Sequence, residues 1–160
     1  MINPTILLSA RPPLADEPME IAERKGLGHP DTICDAVMER VAVELAQAYL
    51  KTCGRVLHFN ADKGMLIAGQ VDCRPGEGRV IAPMRLVMGD RATFEWRRWR
   101  VPVNEIVERA ACRWFKDHLP HVDPIKHLIC QVELKPAPAA LRSVRERHGG
   151  PVANDSSAAV

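Results

Sequence analysis

The sequence predicts an α/β (α+β) fold, a mixed or antiparallel sheet covered on one face by two helices. Three observations carry this reading. Apolar residues recur at helical spacing in two long stretches, from Pro30 and from Pro102. Short strand-like runs fill the interval between them and follow the second. The turns joining those runs are too short for the crossover helices of a doubly wound parallel sheet. A chain of 160 residues, 46% hydrophobic and 26% charged, can bury one core, so residues 1–160 are read as a single region.

Taken in order, Ile6-Leu7-Leu8 forms a short strand or arm that Pro12 and Pro13 end, and Met19 to Glu23 alternates as a strand. From Pro30 the residues Ile33, Val37, Val41, Leu45 and Tyr49 recur every four positions with Cys34, Met38 and Ala42 beside them. That pattern is an amphipathic helix running to about Lys51 and stopped by Gly54. Arg55 to Asn60 and Met65 to Val71 read as two strands of a hairpin, with Ala61-Asp62-Lys63-Gly64 as its turn. Pro75-Gly76-Glu77-Gly78 marks another turn. Val80 to Met88 is the next strand, with Pro83 at an edge or bulge and Gly89-Asp90 breaking it.

The stretch Arg91 to Arg100 interleaves Trp96 and Trp99 with four arginines. Such a composition can stack on bases, but its preferred reading is a polar-faced hairpin with the aromatics on the core side. Val103, Ile106, Val107, Ala110, Ala111 and Trp114 define the second helix, ending near His118-Leu119-Pro120, and Leu128 to Leu134 is a strand. Pro136 to Ala140 reads as a stiff connector and Leu141 to Arg147 as a short basic helix.

The chemistry concentrates just before the first helix, in Glu23-Arg24-Lys25-Gly26-Leu27-Gly28-His29-Pro30-Asp31-Thr32-Ile33-Cys34-Asp35. Pro30 suits the first helical turn, and Asp31 suits the positive end of the dipole, where it is read as part of the cap. A Gly-Leu-Gly turn leading into a helix leaves bare amides for phosphate oxygens, with Arg24 and Lys25 adding positive charge. Asp31 and Asp35 share a helix face and crowd each other unless a cation or a basic side chain lies between them, and magnesium carrying phosphates meets that need. On spacing alone, an ordinary capped helix after a glycine turn explains the same residues.

Beyond its spacing, the run from Glu20 to Asp35 resembles the opening of the archaeal-type S-adenosylmethionine synthetases (methionine adenosyltransferases), whose signature is Glu-Arg-Lys-Gly-x-Gly-His-Pro-Asp-x-Ile-Cys-Asp. The similarity continues through Leu57-His58-Phe59-Asn60-Ala61-Asp62, through Arg91-Ala92-Thr93, and into Pro151-Val152-Ala153-Asn154-Asp155-Ser156-Ser157. It implies the synthetase-like fold, here as parts of interleaved subdomains, and formation of S-adenosylmethionine from ATP and methionine. In that reaction the methionine sulfur attacks the ribose C5′ and expels tripolyphosphate, which the same site hydrolyses. By matching position, His29 contacts the phosphate chain as the catalytic residue, Asp31 ligates Mg2+, Lys25, Gly26 and Gly28 line the nucleotide, and Asp155 holds the methionine ammonium. Potassium is left open as a second cation. The resemblance further implies a homodimer, or a hetero-oligomer with a synthetase-like chain.

Two departures accompany the match. The family's Gly-Gln-Gly-Ser-x-Asp-Leu segment corresponds to roughly Lys135 to Leu141, where only the leucine survives, and the family's tripolyphosphate-gripping lysines and arginine lie beyond Val160. The expectation is therefore an amino-terminal portion of the enzyme or a reduced paralogue. The competing reading is a non-catalytic partner subunit that keeps the fold, with or without nucleotide binding.

Composition narrows the rest. A net charge of +2 gives no general attraction to nucleic acid, which is disfavoured as a partner. No apolar run reaches membrane-spanning length and the amino terminus lacks a signal-peptide pattern, so the chain is read as cytoplasmic with no membrane partner. Cys34, Cys53, Cys73, Cys112 and Cys130 are odd in number and never spaced Cys-x-x-Cys, which predicts buried thiols rather than disulfides or zinc. His118 and His121, with Pro120 between them, are read as surface loop residues.

Overall fold

The structure, a computed structural model, describes residues 13–136. The expected arm at Ile6–Leu8, the connector after Pro136 and the basic helix at Leu141 to Arg147 lie outside the described residues. After a single 3-10 turn at Leu14–Asp16, the chain continues to His29 without a helix or strand and with every side chain exposed, Met19 and Ile21 among them. The strand expected at Met19 to Glu23 therefore does not form. Its alternation is real, but no sheet edge among the described residues takes it up.

Helix α1, Pro30–Cys53, follows the predicted stripe: Ile33, Cys34, Val37, Met38, Val41, Leu45 and Tyr49 are buried. Gly54 ends it in the left-handed conformation, φ 73°, with its amide on the Leu50 carbonyl. Helix α2, Val103–His118, buries the seven residues from Val103 to Phe115 that face α1 and the sheet, and a single turn, α3, spans Pro124–His127. Both long helices lie on one face of a three-stranded mixed sheet of order β1-β4-β7: β1, Asn60–Ile67, runs antiparallel to β4, Met84–Ala92, and β7, Leu128–Pro136, runs parallel to it. The parallel pair is joined through α2, the crossover such pairing needs. Leu86, Met88, Leu128 and Leu134 point into the core, each large side chain there contributing about 1.5–3 kcal/mol by leaving water.

The strand boundaries differ from the sequence reading in three places. Ala61 to Gly64 is not a turn but the middle of β1, where a bulge between Asn60 and Lys63 absorbs the polar residues. Gly64 belongs there because α1 passes over it: a Cβ would lie 3.1 Å from Met38 Cγ and 3.3 Å from Cys34 Cβ. Gly89-Asp90 does not break β4. Asp90 adopts φ 103° opposite the bulge and accepts a hydrogen bond of 2.9 Å from Asn60 Nδ2, so the ladder continues to Ala92. Finally, Pro83 separates β3, Glu77–Ala82, from β4, and β3 pairs with β2, Gln70–Arg74, in a hairpin turned at Pro75-Gly76. At the crossing of these strands Gly69 lies against Ala82, Pro83 and Met84, where a Cβ would fall 2.3 Å from the Ala82 carbonyl oxygen.

The basic-aromatic stretch is a hairpin, as expected, with β5 at Glu95–Trp96 and β6 at Trp99–Arg100. Only Trp96 packs toward the core; Trp99 is exposed, and Arg97 and Arg98 sit over the two indoles. The cysteines are all free thiols, yet only Cys34 is buried and Cys73 is exposed, since β2 lies outside the helix-covered sheet. No helix among the described residues is long and apolar enough to cross a membrane. The sheet face turned away from the helices leaves Met65, Ile67 and Ile129 exposed.

Tyr49 ties the end of α1 to the end of β4. Its hydroxyl donates to the Thr93 carbonyl (2.9 Å) and accepts from the Thr93 amide (3.1 Å), while Thr93 Oγ1 donates to the His58 carbonyl (2.7 Å). Burial pushes the Tyr49 phenol up to about 12 from 10.0. The unfolded chain therefore loses this proton first as pH rises, and the phenol's contribution, whole below about pH 10, fades toward pH 12 by roughly 2–3 kcal/mol. Tyr49→Phe is expected to destabilise the fold by about 1–3 kcal/mol at neutral pH, by stranding two buried backbone groups, and to remove this share of the alkaline sensitivity. Urea unfolding at pH 7 and pH 11 measures both.

Candidate functional site

The sequence-predicted residues converge at the start of α1. A turn closed by the His29 amide on the Gly26 carbonyl (3.0 Å) brings the chain into the helix, and His29 is the N-cap. Its Nδ1 accepts from the Asp31 amide at 3.1 Å, so the cap is the imidazole and not the Asp31 carboxylate, which corrects the sequence reading. An accepting Nδ1 carries no proton, which places the proton of the neutral ring on Nε2. The His29 and Asp31 side chains are 41% and 59% exposed. The helix entrance thus presents an N–H donor, a carboxylate and bare amides to whatever approaches it.

Lys25 reaches across the turn to Asp31, pairing its ammonium with Oδ2. That hydrogen bond and the lysine's charge hold the Asp31 carboxyl below the usual carboxylate range, with a smaller push from His29. Asp35 is exposed one turn along. The cation expected between crowded carboxylates is, in this structure, a lysine on the first of them. Gly26 and Gly28 answer no demand of the chain itself, because a Cβ on either would meet nothing within 4 Å, leaving the space in front of the turn open. Asp155 lies outside the described residues.

Magnesium takes one or two protein carboxylates and fills its remaining positions with water and phosphate oxygens. Asp31, exposed at a helix start, suits the first of these roles. No group of three or more histidine, cysteine, aspartate or glutamate side chains that could hold a metal by themselves occurs among the described residues. Asp31 by itself fits the single-carboxylate share of such a magnesium site.

One part of the site was not visible in the sequence. Beside Pro30 a cavity of about 450 Å³ opens between the two sheets, lined mostly by apolar groups from Leu66, Ala68, Gly69, Val71, Val80 and Met84. His121, Val122 and His127 close its rim. His121 lies on the exposed loop expected for it, and His127 ends α3. Neither carries a local motif, and only the return of β7 beside β4 brings them to the mouth of α1. His118, by contrast, stacks on Trp114 with ring centroids 4.8 Å apart and bonds the Trp114 carbonyl.

The family described as S-adenosylmethionine synthetase (AdoMet synthetase) matches residues 3–160. The chain belongs to the S-adenosylmethionine synthetase family. It is 35% identical over 149 residues to a probable S-adenosylmethionine synthase of Aquifex aeolicus, covering 91% of this chain and 37% of that relative. To the S-adenosylmethionine synthases of Caldivirga maquilingensis and Aeropyrum pernix it is 37% and 38% identical, covering 94% and 91% of this chain. It spans 37–39% of the length of these synthetases.

Replacing Lys25 with methionine keeps the length of the side chain and removes its charge. The Asp31 carboxyl is then expected to titrate nearer the ordinary value of about 3.9, as followed by its side-chain carbon resonance. With Lys25 present, the carboxylate's contribution is whole above that range and fades only as pH falls through the depressed value.

Proposed function

We propose that this chain carries the nucleotide- and magnesium-facing part of a methionine adenosyltransferase, which forms S-adenosylmethionine from ATP and methionine and releases phosphate and diphosphate. The observation supporting this most directly is the imidazole-capped helix start with Lys25 and Asp31 across it, in a chain of the synthetase family. In the reaction the methionine sulfur forms a bond to the ribose C5′ while the C5′–O bond breaks, and the electron pair leaves with the tripolyphosphate oxygen. His29 Nε2–H donates toward that oxygen as its charge grows, a contact that strengthens along the reaction coordinate. Bound magnesium would neutralise the phosphate chain, with Asp31 as a ligand. Lys25, paired with Asp31 in this structure, would be free to turn its ammonium to a phosphate oxygen if Asp31 held a metal. The open space before Gly26 and Gly28 lets backbone amides approach the same chain.

The apolar cavity beside Pro30 gives the uncharged end of a small substrate a place to leave water, which suits the methionine thioether. Asp155 is assigned the methionine ammonium by its position in Asn154-Asp155. This reading treats residues 1–160 as a partial synthetase-like region, working in the cytoplasm with potassium as an optional second cation. The exposed Met65, Ile67 and Ile129 on the open sheet face support association with a second copy or a synthetase-like chain. Light scattering is expected to give at least twice the mass of one chain, and a monomer at micromolar concentration contradicts it.

Asp31→Asn keeps the size of the side chain, removes its charge and leaves the His29 cap untouched. Calorimetry with ATP is expected to show magnesium-dependent binding by the natural chain and a loss of about tenfold or more in the variant, with helix content unchanged. Equal affinity in the two, or no binding by the natural chain, would instead support a non-catalytic partner subunit.

A further inference from the structure

Midway along α1 and α2, remote from the helix entrance, one buried carboxylate holds three arginines. Glu44 is 9% exposed. Its Oε1 accepts from Arg40 Nε one turn earlier on α1 (3.0 Å) and from Arg113 Nη1 on α2 (3.3 Å), and Arg109 Nε stands 3.7 Å from Oε2. The arginine side chains are themselves 36%, 49% and 54% exposed for Arg40, Arg113 and Arg109. Among the described residues no other carboxylate comes within 4 Å of any of the three. Arg40 lies ten residues past Pro30, about 15 Å along the helix.

A tie between α1 and α2 needs one bridging arginine, and Arg113 supplies it. Arg109 adds a second positive charge from the same helix without gaining a hydrogen bond to the carboxylate, against repulsion from its neighbours. The result is three half-exposed arginine side chains around a single buried carboxylate, so two positive charges are left over. Guanidinium forks match phosphate and carboxylate oxygens, and side chains already held in place lose little freedom when an anion arrives.

We propose that Arg40, Arg109 and Arg113 form a binding site for a multiply charged oxyanion, separate from the site at His29. The recognising chemistry is a set of phosphate or carboxylate oxygens spread over the three forks, with Glu44 as the buried post that fixes them.

Calorimetry of the full chain carrying His29→Ala, titrated with tripolyphosphate at low ionic strength, tests the proposal, and the α2 substitutions below separate this site from the phosphate contacts that Lys25 and the Gly26 and Gly28 amides still offer at the helix entrance. One saturable site is expected to remain and to weaken with added salt. Arg109→Gln/Arg113→Gln is expected to lower its affinity tenfold or more, and Arg113→Lys, which keeps the charge but loses the fork, severalfold. If the double variant fails to fold by far-ultraviolet circular dichroism, Arg109→Gln alone decides, since that side chain makes no hydrogen bond to Glu44. Titration with citrate separates the two sources: tighter tripolyphosphate binding assigns the site to phosphate chains, and tighter citrate binding to carboxylates. Absence of saturable binding in the His29→Ala chain, or equal affinity after loss of both α2 arginines, overturns the proposal and leaves the reading of the helix entrance standing.

Discussion

The close passage of α1 over β1 at Gly64 is the constraint on which the rest of this structure depends. With Met38 Cγ and Cys34 Cβ already within 3.1 and 3.3 Å of where a side chain would start, the helix rests on backbone at that point. The contact sets the height of α1 above the sheet one turn after its entrance. It thereby sets where His29, Lys25 and Asp31 stand relative to β1. Farther along, Tyr49 fixes the other end of the same helix to Thr93. Held at both ends, α1 serves as the rigid element on which the candidate site is built.

This arrangement explains why the helices could be read from the sequence and the strands only in part. The stripes of α1 and α2 are local signals of period 3.6, and most of the residues the spacing selected are buried, joined by Glu44 and Phe115, which it did not select. Asp62-Lys63-Gly64 has the chemistry of a turn, but the space available beneath α1 and a bulge opposite Asp90 convert it into strand. Local propensity lost there to a contact between residues far apart in sequence. Met19 to Glu23 shows the reverse case, since alternation makes a strand only when an edge is present to pair with.

The same division holds for the site. His29, Lys25, Gly26, Gly28 and Asp31 were found because they are consecutive or nearly so, and the structure places them at one helix entrance. Which atom performs the capping was beyond the sequence, since both His29 and Asp31 are suited to it. The cavity beside Pro30 draws on four strands, the loop after α2 and α3, so no window of the sequence contains it. Glu44 was hidden for a related reason: its i,i+4 partner Arg40 is a common helical pattern, whereas the two arginines of α2 reach it only through the packing of the helices.

The crossing at Gly69 divides the molecule unevenly. On one side lie the three-stranded sheet and its helices, and on the other the β2–β3 hairpin, which supplies Val71 and Val80 to the cavity and leaves the sheet at this junction. The hairpin is a cantilever, anchored where two backbones touch, and Val71 and Val80 lie next to that anchor. One wall of the cavity therefore belongs to a part whose side chains can drift in size over evolutionary time without disturbing the packing beneath α1. Changes that reshape this wall and changes that loosen the packing beneath α1 fall here on different residues.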